Sequence, residues 1–392
     1  MRPTPHPRTI LLVALLWVLA SCQGGGGTVV HHPTPDNIPQ VTDPRFILRD
    51  APQDTLFWLE NALHDGYTIG MKEGPAQDMI GQVRDVVVSD SLIYYLDGSF
   101  SQIRAYDFEG RLVDVFGGPG DGPGEFDWPI RIAAVGREEN KYVVVASYRR
   151  STLSVFRKAS NSDHQLRSSF RAVTSFVNGD MCAMNGHIYT TGYAEDIDGV
   201  IHKHTLDGKY VLSFGARYNH SDPFIRNQMA HQITIECNTT HDVLLYLHPR
   251  APIASGFSPS GKRMWRIRFE DARMVPIEET IGSDGLSSVT SLWPRVVGES
   301  TPFSVKGGAH GDSFWLARHE RLSEEDHRYV EHYYRLDASS GTGEYLGIRP
   351  RPARMADQEW KVIRTLSRNQ IVASWNAPFP QLGIYSLPNA PQ

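Results

Sequence analysis

Four cationic side chains hold comparable places in this chain. Arg84, Arg131, His231 and Lys361 each stand at the start of a segment that reads as an innermost β-strand. If the starts of such strands gather round one opening, the four cations form an anion-attracting funnel. The competing expectation is that each pairs with a nearby carboxylate, as Arg84 could with the acidic residues around Asp85. Among the tryptophans, Trp293 lies in a long segment of weak pattern and is the best placed to stack on a ligand. Trp265, Trp315, Trp360 and Trp375 suit packing between sheets.

Other chemistry is weaker. His310, His319, His327 and His332 cluster in sequence, as do His231, His241 and His248. Zinc needs three or four ligands converging at about 2 Å. Histidines spread over loops and strands of alternating direction do not converge that way, so no metal site is expected. His31-His32 lacks a third ligand and reads as linker. Neither G-x-S-x-G nor H-E-x-x-H nor a calcium loop occurs, and no catalytic residue or cofactor is expected. The glycine run from Gly118 to Gly124 lacks the Lys-Ser/Thr ending of a phosphate loop, and a strand rather than a helix follows it. Cys182 and Cys237 are disulfide candidates if the protein reaches an oxidising compartment; otherwise they are buried thiols. A net charge of −5 argues against nucleic acid as a partner.

The elements that must hold these residues repeat. Residues 103–117, IRAYDFEGRLVDVFG, match 201–215, IHKHTLDGKYVLSFG, with Gly110 and Gly208 standing 98 positions apart. Fixed-period similarity of turn-punctuated segments signals a repeat architecture. Each unit reads as strand, turn, strand, glycine turn, strand, and two units per offset give about 49 residues each, the size of a propeller blade. Six units are counted. The sixth ends at Leu387 and lacks its last strand, while Asp54–Glu60 with Tyr67–Ile69 forms a spare strand region near the N-terminus. The spare region can complete the last sheet and close a ring, which removes an exposed edge. The step from Gly261 to Gly341 is too long for one unit, so Asp271–Thr301 reads as an inserted loop. The fold class is therefore all-β, a six-bladed β-propeller closed by an N-terminal strand and occupying residues 45–390.

The first 22 residues have a basic start, an apolar run from Ile10 to Leu19 and then Leu-Ala-Ser-Cys. This is the build of a secretory signal peptide, too short for a membrane span. The LASC sequence resembles a bacterial lipobox, in which Cys22 becomes the lipidated first residue. Gln23 is not Asp, so the resemblance does not imply inner-membrane retention. Residues 23–44, rich in Gly and Pro, read as a flexible tether.

Gly117 to Phe126, ending in Gly-Glu-Phe and followed by Pro129 and Ile132-Ala133, resembles the inter-blade link of NHL-type six-bladed β-propellers, as does Tyr106-Asp107-Phe108-Glu109-Gly110. With the lipobox, the resemblance implies a lipoprotein of the bacterial cell envelope, anchored to the bilayer through Cys22, at the outer membrane and facing the periplasm or the exterior. Its expected role is to bind or scaffold an envelope protein, peptide or glycan. The alternative is a metal-dependent propeller hydrolase or lyase.

Overall fold

A computed structural model of the chain describes residues 27–31, 40–50 and 66–386; within the last range residues 72, 76–78, 90, 137–140, 160–162, 175–178, 282–286, 291–293, 295, 308–310, 324–328, 352–359, 368–369 and 376–379 are outside the description. Six antiparallel sheets stand round one axis as the blades of a propeller. Their innermost strands are Val83–Val88, Pro129–Val135, Met181–Met184, Thr234–Asn238, Ser304–Gly307 and Trp360–Ser367. Each touches the next in this order, and the last touches the first. Blade 6 takes its outermost strand from the N-terminal side: Gly66–Ile69 pairs antiparallel with Gln381–Ser386. Of the spare region, Tyr67–Ile69 thus completes the last sheet, whereas Asp54–Glu60 lies outside the described residues.

The strands form because their residues suit a pleated sheet buried on both faces. Ile93–Asp97 and Val243–Leu247 are buried at every position, as befits apolar and aromatic runs inside a stack of sheets. Two turn glycines explain the 98-residue repeat. Gly110 and Gly208 take φ of 83° and 88°, a region that L side chains rarely adopt. A Cβ on Gly208 would also stand 2.5 Å from the ring of Phe170 in the preceding blade.

Apolar side chains fill the seams between blades. Val86, Tyr95 and Tyr106 of blade 1 meet Ile69, Val372 and Leu382 of blade 6. Leu96, Ile103 and Phe116 of blade 1 meet Ile132, Val143 and Phe156 of blade 2. Trp265 and Ile267 of blade 4 meet Phe314 and Tyr334 of blade 5, and the Trp265 indole N–H donates to Ala338 O at 3.0 Å. This places Trp265 in the core.

Two segments depart from expectation. Within the stretch read as a flexible tether, Gly27–His31 is a strand paired antiparallel with Ile277–Ile281. The stretch read as an inserted loop holds short strands, including Ile277–Ile281 and Ser287–Thr290, which pair with each other. Backbone pairing between the two segments satisfies amides that neither could satisfy alone.

In every blade the innermost strand starts at the same end of the ring. The links between blades and the turns joining second to third strands therefore emerge on one side, the mouth side. The remaining turns emerge on the opposite side.

Replacing Ile69 by Ala should cost about 2–4 kcal/mol, the usual penalty for emptying a buried aliphatic site. Urea unfolding measures this, and a loss below about 0.5 kcal/mol, the range of a surface substitution, would deny the closing strand its role.

Candidate functional site

An axial cavity of about 260 Å³ opens among the innermost strands. Arg84, Asp85, Arg131, Asp180, Thr234 and Glu236, with Thr239 and Ser304, supply its polar lining, and Val86, Ile132, Ala133, Met181 and Val305 lie between them. Asp85 and Arg131 on their innermost strands, Asp180 just before Met181–Met184 and Thr234 at the start of its strand each stand immediately before a residue that turns into a seam. Asp85 Oδ2 accepts Ile132 N–H at 3.2 Å, and Asp180 Oδ2 accepts Ile235 N–H at 3.1 Å. Each carboxylate thereby ties its blade to the next.

Arg131 lies between these two acids. Its Nε donates to Asp180 Oδ1 at 3.0 Å. Burial works against its charge, but Asp180 and Asp85 outweigh that and hold the guanidinium above its ordinary pKa. Its charge is consumed inside the ring.

Arg84 is held differently. Its guanidinium lies 5.6 Å from the centre of the Trp128 ring, and Arg149 lies 5.8 Å from the same ring. Arg149 also meets Asp127 at 3.5 Å. No carboxylate pairs with Arg84 among the described residues. Trp128 is half exposed, at 51 %, and takes φ of 60° immediately before Pro129. Such a backbone is costly for a bulky residue. Tyr148 N–H donates to Trp128 O at 2.9 Å and helps hold it.

The other sequence candidates are not brought here. His231 does not start an innermost strand; it ends the helix Pro223–His231, capped by Asp222, and is 4 % exposed. Burial lowers its pKa, so it is no cation at the mouth. Lys361 falls on the strand Trp360–Ser367, but its side chain is outside the description, as are Trp293 and Cys22 altogether. Cys182 and Cys237 are joined in a disulfide that links the innermost strands of blades 3 and 4 beside the cavity.

Three histidines of the described residues serve the walls. His204 and His248 are buried, and burial pulls both pKa values down to about 4. His164 Nδ1 lies 2.7 Å from Asp114 Oδ2 and its Nε2 3.1 Å from Tyr94 Oη, a buried pin between blades 1 and 2. His310 and His327 lie outside the described residues.

One group has the makings of a metal centre. Ligand atoms of Asp50, Glu320 and His332 lie within 4.8 Å of one another. Arg318, however, reaches into that group. It donates to Asp50 Oδ2 at 2.5 Å, to Glu320 Oε2 at 2.7 Å and to Tyr334 Oη at 2.8 Å, and it also meets Ser300. Burial opposes its charge, but Tyr334, Asp50 and Glu320 keep it strongly protonated. The guanidinium already engages both carboxylates and fills the space between them, so the donor set does not suit a resident metal. The cluster fastens the segment before Asp50 to blade 5.

No family model and no curated protein matches the chain. Solved structures do. An exported protein of Bacteroides fragilis aligns with a TM-score of 0.54 at 10 % identity, over 88 % of this chain and 99 % of that one. A member of the DUF4221 family from Bacteroides vulgatus gives 0.47 at 10 % identity, over 83 % and 98 %. Virginiamycin B lyase from Staphylococcus aureus gives 0.42 at 10 % identity, over 82 % and 99 %. At such identity the first likeness shows the propeller fold alone, and the others carry no argument.

Arg318→Met should cost about 3–5 kcal/mol at pH 7, because it strands two carboxylates. A thermal or urea melt reads this, and an unchanged melt would refute the latch. Acid should also weaken the protein. The unfolded histidines protonate near pH 6.5 whereas His204 and His248 resist until about 4, so stability is complete above 6.5 and declines as pH falls toward 4. His204→Phe should flatten that slope in melts taken across this range; an unaltered slope would contradict it.

Proposed function

We propose that the protein is an envelope-anchored β-propeller whose work is binding: it holds a protein, peptide or glycan bearing an acidic group at the mouth of the axial cavity. The observation that carries this reading is the pairing of Arg84 with the exposed, backbone-strained Trp128 at the edge of that cavity. A guanidinium presents several N–H donors in a fixed fork suited to carboxylate or phosphate. The indole adds a broad apolar face. The carboxylates of Asp85 and Asp180 engage their neighbours' amides, and Arg131 engages Asp180, so they frame the opening rather than act on a substrate.

The signal-like leader supports export, and the lipobox resemblance supports anchoring through Cys22. The disulfide between Cys182 and Cys237 agrees with an oxidising compartment. The rival is a metal-dependent propeller hydrolase or lyase. Its best support is the Asp50, Glu320 and His332 group, which Arg318 already serves.

An Arg84→Glu, Trp128→Ser variant should fold normally and lose at least tenfold in capture of its ligand from solubilised envelopes. Equal capture by both proteins would end this reading. A stoichiometric, tightly held metal in the purified protein would favour the rival.

A further inference from the structure

Large apolar side chains are not spread evenly over the surface. Of those well exposed among the described residues, one set lies on the outermost strands: Tyr67, Leu112, Val115, Tyr210, Val211 and Met264, most of them just beyond the turns of the opposite side. The others lie on the mouth side. Met71 and Met79 tip one link there, and Phe100, Trp128, Tyr148 and Leu322 each tip a separate link or turn. Val296, Val297 and Ile281 extend the set across the insertion. Among the described turns of the opposite side the exposed residues are polar: Glu109, Arg111, Asp207, Lys209, Lys262 and Ser339.

The tips are held out by the fold. Asp97, itself fully buried, accepts the backbone N–H of Ser99 and Phe100 and so fixes the turn that carries Phe100. Trp128 is pushed outward by its left-handed backbone. Arg149 and Arg150 stand exposed beside Trp128 and Tyr148, paired with Asp127 and Asp121. Separate apolar and aromatic tips at one end of a ring, with Arg84 left without a carboxylate among the described residues, match the depth profile of a bilayer interface. There aromatic rings sit at headgroup level and guanidinium groups meet phosphate. A protein partner would call for a contiguous patch of matched shape; a bilayer accepts any set of tips that share a plane.

The chain supplies a second, independent line. Gly27–His31 pairs with Ile277–Ile281 in the insertion, on the mouth side. Gly27 follows Cys22 by five residues, a reach of at most about 18 Å when fully extended. A lipid on Cys22 would therefore draw this side, and no other, toward the membrane.

We infer that the mouth side is a membrane-docking surface and that its partner is the interface of the bilayer bearing the anchor. The tether argument rests on the lipidation reading above; the apolar surface does not. The ligand held at Arg84 then lies at headgroup level, either a lipid phosphate or an acidic group presented there.

The test uses the full chain with Cys22→Ser, which cannot be acylated, and vesicles of phosphatidylethanolamine and phosphatidylglycerol. The protein should co-sediment with them, and its tryptophan fluorescence should be quenched by brominated lipid, an effect lost in Trp128→Phe. Phe100→Ser with Trp128→Ser should weaken binding at least tenfold, about 1.4 kcal/mol. Lys209→Ser with Lys262→Ser, on the opposite side, should leave it unchanged. A folded Cys22→Ser protein that stays unbound at every lipid concentration overturns the inference, as does equal binding by the Phe100, Trp128 variant. Mass analysis of the unsubstituted protein's N-terminal peptide tests lipidation separately: an unacylated Cys22 removes the anchor and leaves the surface result standing.

Discussion

The ring depends on one backbone pairing, that of Gly66–Ile69 with Gln381–Ser386. A propeller made only of consecutive blades would present the last sheet as an open edge and leave the seam between blades 6 and 1 held by side chains alone. Taking the missing strand from the other end of the chain fills that edge with hydrogen bonds. It also inserts Ile69 among Val83, Val372 and Leu382. Closure thus converts six marginal sheets into one body in which every innermost strand has two neighbours. The cavity, and the positions of Arg84 and Arg131 at its edge, exist only once that circle is complete.

Seam packing alone does not fix how far each blade is rotated about its own strands, because apolar contacts are non-directional. Directional contacts at the axis supply that constraint. Asp85 and Asp180 each accept an amide from the following blade, and the Cys182–Cys237 bond locks blades 3 and 4. Farther out, Asp50 with Arg318 and His164 with Asp114 join elements distant in sequence. Buried ionic groups of this kind contribute little net stability but strongly penalise any arrangement that separates them.

Much of the fold was legible because turn chemistry is local. Gly110 and Gly208 announce a left-handed backbone, and their spacing exposes the repeat. The sixth unit's missing strand could be matched to Tyr67–Ile69 by counting. The site was less legible. Asp180 was overlooked although it follows Asp85 by 95 residues, close to the two-unit offset, and so could have been found from the period. His231 was misplaced although Asp222-Pro223 is a helix-start signature. Trp128 offered only its place before Pro129, since its exposure follows from a backbone angle set by packing around the link. The pairing of Gly27–His31 with the insertion is a contact across some 250 residues that no local pattern encodes.

The polar groups at the axis are largely occupied by the ring itself. Arg131 is engaged by Asp180, and Asp85 and Asp180 each accept an amide of the following blade. On the proposed binding role, selectivity falls to the rim, where Arg84 meets no carboxylate among the described residues and Trp128 projects. A rim built this way can read only what approaches along the axis from the mouth side. The short run of chain between Cys22 and Gly27 would restrict that approach to what lies near a membrane. Arg84 would then choose among nearby groups by charge, while the surrounding apolar tips would set the distance at which the choice is made.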